Sequence, residues 1–309
     1  MDIAKDRRPA AYALFGDDLE AESQGSRIYL HLLSDDDAST VFDILNREIT
    51  WQAMHHQQGV VPRRVCCQAS VNPVDGSTPI YRHPSDRTMP TEPWTPTVDR
   101  IRAVAAKLVG HELNHALIQL YRSGNDFISE HSDKTLDIVP DSYIVNVSFG
   151  AQRKMRLRTK REPRFPVEGS MRNLDAPPAL QPAPRTTHRI PLSHNSMIAM
   201  TLVTNARYLH GINADKRLGF ELSEEETAFG GQRISLTFRQ IGTFLSKDGT
   251  RIWGQGATGK CAEDAKQVIC GDEAESQKLV NAFGRENVMS VRDWEGCYGL
   301  GSDVLHLKG

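Results

Sequence analysis

Five short runs between residues 116 and 242 constrain the fold more than any other feature: ALIQLY, YIVNVSFGA, RKMRLRTKR, MIAMTLV and RISLTFRQIG. They are rich in β-formers and bounded by turn residues, and no helical pattern separates them. That spacing predicts an antiparallel sandwich or jelly roll. Ahead of these runs, SDDDASTVFDILNREI offers Ser and Asp caps and then Val41, Phe42, Leu45 and Ile49 at helical spacing, which predicts a helix from about Ala38. TVDRIRAVAAKLVG reads as a second amphipathic helix ending at Gly110. Residues 58–97 between them mix short β-like runs with Pro and Gly turns.

The fold class expected is α+β, mostly β, with the N-terminal helices packed on one sheet. The reading divides the chain into an N-terminal segment (1–35), a core (36–245) and a C-terminal extension (246–309) holding a helical AESQKLVNAFG. Residues 162–190, rich in Pro, read as a long insertion between two core strands.

Composition narrows the class. With 309 residues, 39% hydrophobic and 25% charged, the chain is an ordinary globular protein. Its net charge of −2, from 37 basic and 39 acidic residues, supplies no overall attraction to nucleic acid or anionic membrane. Five cysteines without a CxxC pair argue against a disulfide framework or a structural zinc site, and fit a reduced compartment. The N-terminus has no signal-peptide core and no apolar stretch is long enough to span a bilayer, so a cytoplasmic or nuclear location without membrane partners is expected.

Several motifs compete for the chemistry. HELNH, His111 to His115, matches the HExxH zinc pattern, but that pattern needs a helix through it. Here Gly110 precedes it and a strand-like run follows, so exposed polar residues at a helix-to-strand junction are expected. GQGATGKC, Gly254 to Cys261, fits GxxxxGK, yet Cys261 replaces the magnesium-binding hydroxyl and too little chain follows for a parallel βαβ unit; a turn is expected. No GxSxG occurs, and Cys66-Cys67 reads as buried structural thiol rather than nucleophile.

His131-Ser132-Asp133 sits just before the β-branched run IVNVSF. In extended chain, residues two apart point to the same side, so an imidazole and a carboxylate can converge on one ion. His210, after the apolar run MIAMTLV, offers a third ligand. Two His and one carboxylate with open positions is the ligand set of non-heme Fe(II) oxygenases. Arg233 and Arg239, six apart on one run, point the same way, and their guanidinium forks suit the carboxylates of a dicarboxylic co-substrate.

Taken together, LYRSGNDFISEHSD, IVNVSFGAQRKMRLR, SMIAMTLVTNARYLHGI and RISLTFRQI resemble the AlkB-like family of Fe(II)/2-oxoglutarate oxygenases, over roughly residues 36–242. The resemblance implies a double-stranded β-helix (jelly roll) core. It also implies Fe(II), 2-oxoglutarate and O2 as cofactor and co-substrates. His131, Asp133 and His210 then resemble the catalytic iron ligands, Tyr121 the tyrosine that bonds 2-oxoglutarate, and Arg233 and Arg239 its carboxylate clamps. Gln119 and Ser235 stand at two co-substrate positions where the family has Asn. The stretch VPRRVCCQASVNPVDG, where nucleic-acid repair members place stacking aromatics, has none; Tyr81 is the first aromatic after it.

The basic run Arg153, Lys154, Arg156, Arg158, Lys160, Arg161 and Arg164 fits either a phosphate-binding strand face or a solvated outer face. The resulting expectation is an oxygenase acting on a C–H bond of a small organic substrate and releasing succinate and CO2. The alternatives are an oxidative demethylase of alkylated nucleobases and a non-catalytic binding module.

Overall fold

The computed structural model of the protein describes residues 9–56, 59–161 and 184–308. Two antiparallel sheets form its centre. The larger has the order Ala10–Ala13, Arg27–Leu30, Ser196–Thr201, Tyr143–Gly150, Arg233–Arg239, His115–Tyr121, Gly59–Ala69, Gln52–His56. The smaller has the order Thr187–Leu192, Arg153–Thr159, Tyr208–Ile212, Ile128–His131. Each of the five runs carries a strand, although Leu202 and Val203 of MIAMTLV open a short helix, Leu202–Arg207; the chain from 115 to 239 crosses repeatedly between the sheets, as a jelly roll requires.

Alternation sorts the larger sheet into two faces. Ile118, Val145, Val147, Phe149, Ile234, Leu236 and Phe238 point outward, onto Val41, Phe42 and Leu45 of the helix Asp35–Glu48 and Val98, Ile101 and Ala105 of the helix Pro96–Val109. Each such side chain, fully withdrawn from water, contributes about 1.5–3 kcal/mol. The helices begin and end where their caps say. Ser34 accepts from the Asp37 amide, so the first helix starts at Asp35 rather than Ala38. Gly110, at φ 77°, closes the second.

The other face of that sheet is polar and looks into the barrel. Arg233, Ser235, Thr237 and Arg239 lie opposite Tyr121, Gln119, Leu117 and His115 on one neighbour, and Ser235 and Thr237 lie opposite Ser148 and Asn146 on the other. On the smaller sheet His131 pairs with His210, and Leu157 lies opposite both His210 and His188. The two polar rows therefore face the same interior.

Of the expected segment 1–35, the described strands Ala10–Ala13 and Arg27–Leu30 extend the larger sheet beside Ser196–Thr201. These short, partly exposed strands carry too little alternation to be read locally. Residues 59–97 mix strands and turns as expected, but one strand is long: Gly59–Ala69 has eleven residues, with Val65, Cys66 and Cys67 buried. Of the expected insertion 162–190, residues 162–183 lie outside the described residues, and Thr187–Leu192 is a strand of the smaller sheet.

The C-terminal extension folds against the core. Thr243–Leu245 and Arg251–Gly254 form a small sheet with Thr78–Pro79, and the helix Glu273–Val288 buries Leu279 and Phe283 with Leu136, Tyr298 and Val304. GQGATGKC is a turn, as expected. Its Lys260 ammonium donates to the Ala257 and Leu300 carbonyls, at 2.6 and 2.7 Å, and so is not held out for a phosphate. A Cβ on Gly256 would lie 2.3 Å from Asp137 Oδ1, so only glycine fits there.

Beneath that turn Arg82 and Asp137 form an ion pair at 2.6 Å, 2% and 0% exposed. Arg82 also donates to the carbonyls of Gly256 and Val304, at 2.9 and 3.2 Å, which ties the core to the extension. Breaking a buried pair strands the remaining charge, so Asp137→Ala should lower the unfolding free energy by about 3–5 kcal/mol, read by urea denaturation. A loss under about 1 kcal/mol, the range of exposed pairs, would contradict this anchoring.

Candidate metal centre

His131 closes the strand Ile128–His131, His210 lies opposite it on Tyr208–Ile212, and Asp133 sits in the turn two residues on. The three form a group whose candidate ligand atoms all lie within 4.8 Å of one another. Asp133 Oδ1 is 3.7 Å from Nε2 of each histidine. His131 Nδ1 donates to the Ser129 carbonyl at 2.8 Å, which leaves its Nε2 lone pair turned inward. Burial, reinforced by the second imidazole, pushes His131 down to about 3, and burial likewise lowers His210. Both shifts favour the neutral ring that a metal ligand must present.

Asp133 stays ionised for a different reason. Burial opposes its charge, but Arg239 outweighs that and holds its carboxyl well below the usual range. Arg239 Nε and Nη2 both donate to Oδ2, at 2.9 and 2.6 Å, which frees Oδ1 to face the histidines. Two neutral imidazoles and one carboxylate oxygen, converging from one side, fit a divalent iron. Around this turn four consecutive backbone amides are each taken by a side chain. Ser132 donates to Asn287, Asp133 to Asn205, Lys134 to the Tyr81 hydroxyl and Thr135 to Glu286. None of these four acceptors was legible as a site residue, since each is a lone polar residue brought in from a distant element.

The two arginines do different things. Arg239, expected as a co-substrate clamp, is engaged with Asp133 and lies 4.0 Å over the Tyr81 ring. Arg233 is 1% exposed and donates through Nη2 to Ser148 Oγ at 2.7 Å and Asn146 Oδ1 at 3.2 Å. Its Nε and Nη1 have no hydrogen-bond partner among the described residues. Burial pulls it down to about 10. A buried cation with two unused donors is costly unless an anion joins it, and a carboxylate fits those donors.

The remaining co-substrate positions gather beside Arg233. The Tyr121 ring lies 5.3 Å from its guanidinium, and the Tyr121 hydroxyl donates to Gln119 Oε1 at 3.1 Å. Asn146 Nδ2 donates to Ser235 and Thr237, at 2.8 and 3.0 Å. Asn146 was missed in the sequence. Its only signal is its place in the alternation of YIVNVSF, where it interrupts an otherwise apolar strand.

The competing motifs fall away on geometry. In HELNH, both ring nitrogens of His111 are engaged, with the Glu112 carbonyl and the Tyr143 amide, while His115 is on a strand. Contrary to expectation Asn114 and His115 are buried, because the strand has already entered the barrel. Burial pushes Cys66 and Cys67 up to about 12, so neither is a thiolate. The basic run is spent mostly on its own chain. Arg153 donates to the Ser123, Asp126 and Asn213 carbonyls, and Lys160 to that of Glu286. Lys154 pairs with Glu226, and Arg156 and Arg158 with Glu130. Arg164 lies outside the described residues.

The separation of the arginines predicts separate losses. Arg239→Met should raise the dissociation constant for Mn(II), used as a stand-in for Fe(II), by about 10–100-fold, as loss of a ligand's supporting partner does. Arg233→Met should leave it unchanged. Equal effects in calorimetric titrations would contradict the division.

The mouse protein named DNA oxidative demethylase ALKBH2 is 30% identical over 161 residues, which cover 51% of this chain and 55% of that protein. Its human counterpart is 31% identical over 158 residues, 51% of each. The bovine alpha-ketoglutarate-dependent dioxygenase alkB homolog 3 is 25% identical over 205 residues, 66% of this chain and 62% of that protein. The chain thus spans about half the length of the ALKBH2 proteins it matches. The family model described as the 2OG-Fe(II) oxygenase superfamily matches residues 25–239, which include His131, Asp133, His210, Arg233 and Arg239. The chain belongs to the 2OG-Fe(II) oxygenase superfamily.

Proposed function

We propose that the protein is an oxidative demethylase of alkylated nucleobases, with His131, Asp133 and His210 holding the iron and Arg233 binding the far carboxylate of 2-oxoglutarate. The reading is supported above all by the relatives it resembles, which carry the name DNA oxidative demethylase. This replaces the small organic substrate as the leading reading, and membership of an enzyme family displaces the non-catalytic module. Members of the superfamily use Fe(II), 2-oxoglutarate and O2. Bound together, these supply the oxidant that hydroxylates a substrate C–H bond, with 2-oxoglutarate leaving as succinate and CO2. On an N-methyl group the hydroxylated carbon departs as formaldehyde.

In this reading the chain's own residues bind and orient. Arg239 keeps Asp133 ionised and turns one oxygen toward the histidines. Arg233, with Ser148 and Asn146 behind it, receives the carboxylate, and the Tyr121 ring flanks its guanidinium. Tyr81 joins the metal turn to a cavity lined also by Cys67, His83, Met89, His115 and Leu117. The Tyr81 and His83 rings stack at 5.6 Å on its wall. As it stands the cavity has room for about one water, so the Ile80–Thr91 wall must open for a substrate to enter.

One observation favours a small-molecule substrate instead: the outward cations of the strand Arg153–Thr159 are paired with Glu130 and Glu226. Salt separates the two readings. Succinate release should be stimulated by methylated single-stranded DNA and should fall as salt rises, with a log–log slope of about −0.7 per phosphate contact. Release that is insensitive to both the oligonucleotide and the salt would overturn the demethylase reading. Independently, Arg233→Ala should weaken 2-oxoglutarate binding to the Mn(II)-loaded protein by about 10–100-fold, the value of charged hydrogen bonds worth about 1.5–3 kcal/mol. Unchanged affinity would remove Arg233 from that role.

A further inference from the structure

The metal turn, residues 132–138, is held in part by the core and in part by the C-terminal extension, which lies beyond the residues matched by the family model. Asn287 Oδ1 accepts from the Ser132 amide at 3.2 Å, the Ser132 hydroxyl at 3.1 Å and the Lys134 ammonium at 2.5 Å. Next to it on the same helix, the Glu286 carboxylate accepts from the Thr135 amide at 3.0 and 3.1 Å and from the Thr135 hydroxyl. The Tyr298 hydroxyl fixes the same carboxylate at 2.5 Å.

The carbonyl side of the turn is gripped as well. Gln255 Nε2 donates to the Leu136 and Ile138 carbonyls at 3.2 and 2.6 Å, and Trp294 Nε1 to those of Thr135 and Leu136 at 3.1 and 3.3 Å. From the core side, Asn205 brackets the Asp133 backbone, accepting from its amide at 2.9 Å and donating to its carbonyl at 3.0 Å. Asp133 has no regular strand to hold it, since Ile128–His131 has ended. Its position depends on these side chains.

We propose that the extension is a brace for the metal centre, in which Asn287 and Glu286 are positioning residues that set where Asp133 presents its carboxylate. Neither residue needs to touch the ion. Each supplies acceptors to a turn whose amides have no strand partner, and a buried amide left without an acceptor drives the backbone to rearrange. Asn287 is the more direct of the two, because it holds both Ser132 and Lys134, the residues flanking Asp133. The GQGATGKC turn belongs to the same brace through Gln255, which gives the glycine-rich motif a structural role.

The proposal rests on the reading of His131, Asp133 and His210 as metal ligands, and its test keeps the two apart. Mn(II) titrations of the full chain are compared for wild type, His131→Ala, Asn287→Ala, Asn287→Asp and Leu279→Ala, with thermal melting of each. Tight one-to-one binding by wild type and its loss in His131→Ala support the ligand reading; absence of binding by wild type overturns both. Given binding, Asn287→Ala should raise the dissociation constant about tenfold or more. Asn287→Asp, which keeps the acceptor oxygens, should restore it. Leu279→Ala, which removes a buried side chain from the same helix, should lower the melting temperature with no change in metal affinity.

Unchanged affinity in Asn287→Ala, or an equal rise in Leu279→Ala, would overturn the brace. Should Asn287→Ala not fold, Thr135→Val, which loses only the hydroxyl bond to Glu286, carries the same expectation in milder form: a measurable rise supports the brace and no rise overturns it.

Discussion

The ion pair between Arg239 and Asp133 is the interaction on which the rest of the site depends. Both groups are buried, at 3% and 5% exposure of their side chains, so each is expensive to charge alone. Two hydrogen bonds to one carboxylate oxygen offset that cost and leave the other oxygen facing His131 and His210. The pair also spans the barrel, because Arg239 ends the central strand of the larger sheet while Asp133 follows the edge strand of the smaller one. Sheet packing and ligand geometry are thus one constraint.

The same strand carries Arg233, and the contrast between the two arginines comes from what lies opposite. Arg239 meets a carboxylate of its own chain. Arg233 meets only hydroxyl and amide oxygens, and keeps two donors without a partner among the described residues. One guanidinium is therefore structural and the other is poised for an anion, although sequence spacing makes them look equivalent. That difference also decides how the outer basic strand is read. Its Arg156 and Arg158 find Glu130 and its Lys154 finds Glu226, which offsets much of its outward charge.

Much of this was legible in the sequence where the signal is local. RISLTFR alternates, so its inward arginines and outward Ile234, Leu236 and Phe238 follow from period two alone. The pairing of HSD with His210 was legible because residue type and strand position agree. What was not legible depends on long-range docking. Ala10–Ala13 becomes a strand only because the larger sheet has an edge to offer it, and Asn205, Asn287, Glu286 and Tyr81 are unremarkable until the chain brings them to the metal turn. HELNH and GQGATGKC mislead for the converse reason: as strings they match sites, but His115 is in a strand and Gly256 is pressed against Asp137.

The central claim is that His131, Asp133, His210 and Arg233 make a single centre for iron and 2-oxoglutarate. It is tested most directly by adding 2-oxoglutarate anaerobically to the Fe(II)-loaded protein and following the visible absorption of the chelate. The account predicts a band that saturates at one equivalent of each in the wild type and is absent in Asp133→Ala. A band of full intensity in Asp133→Ala would contradict it.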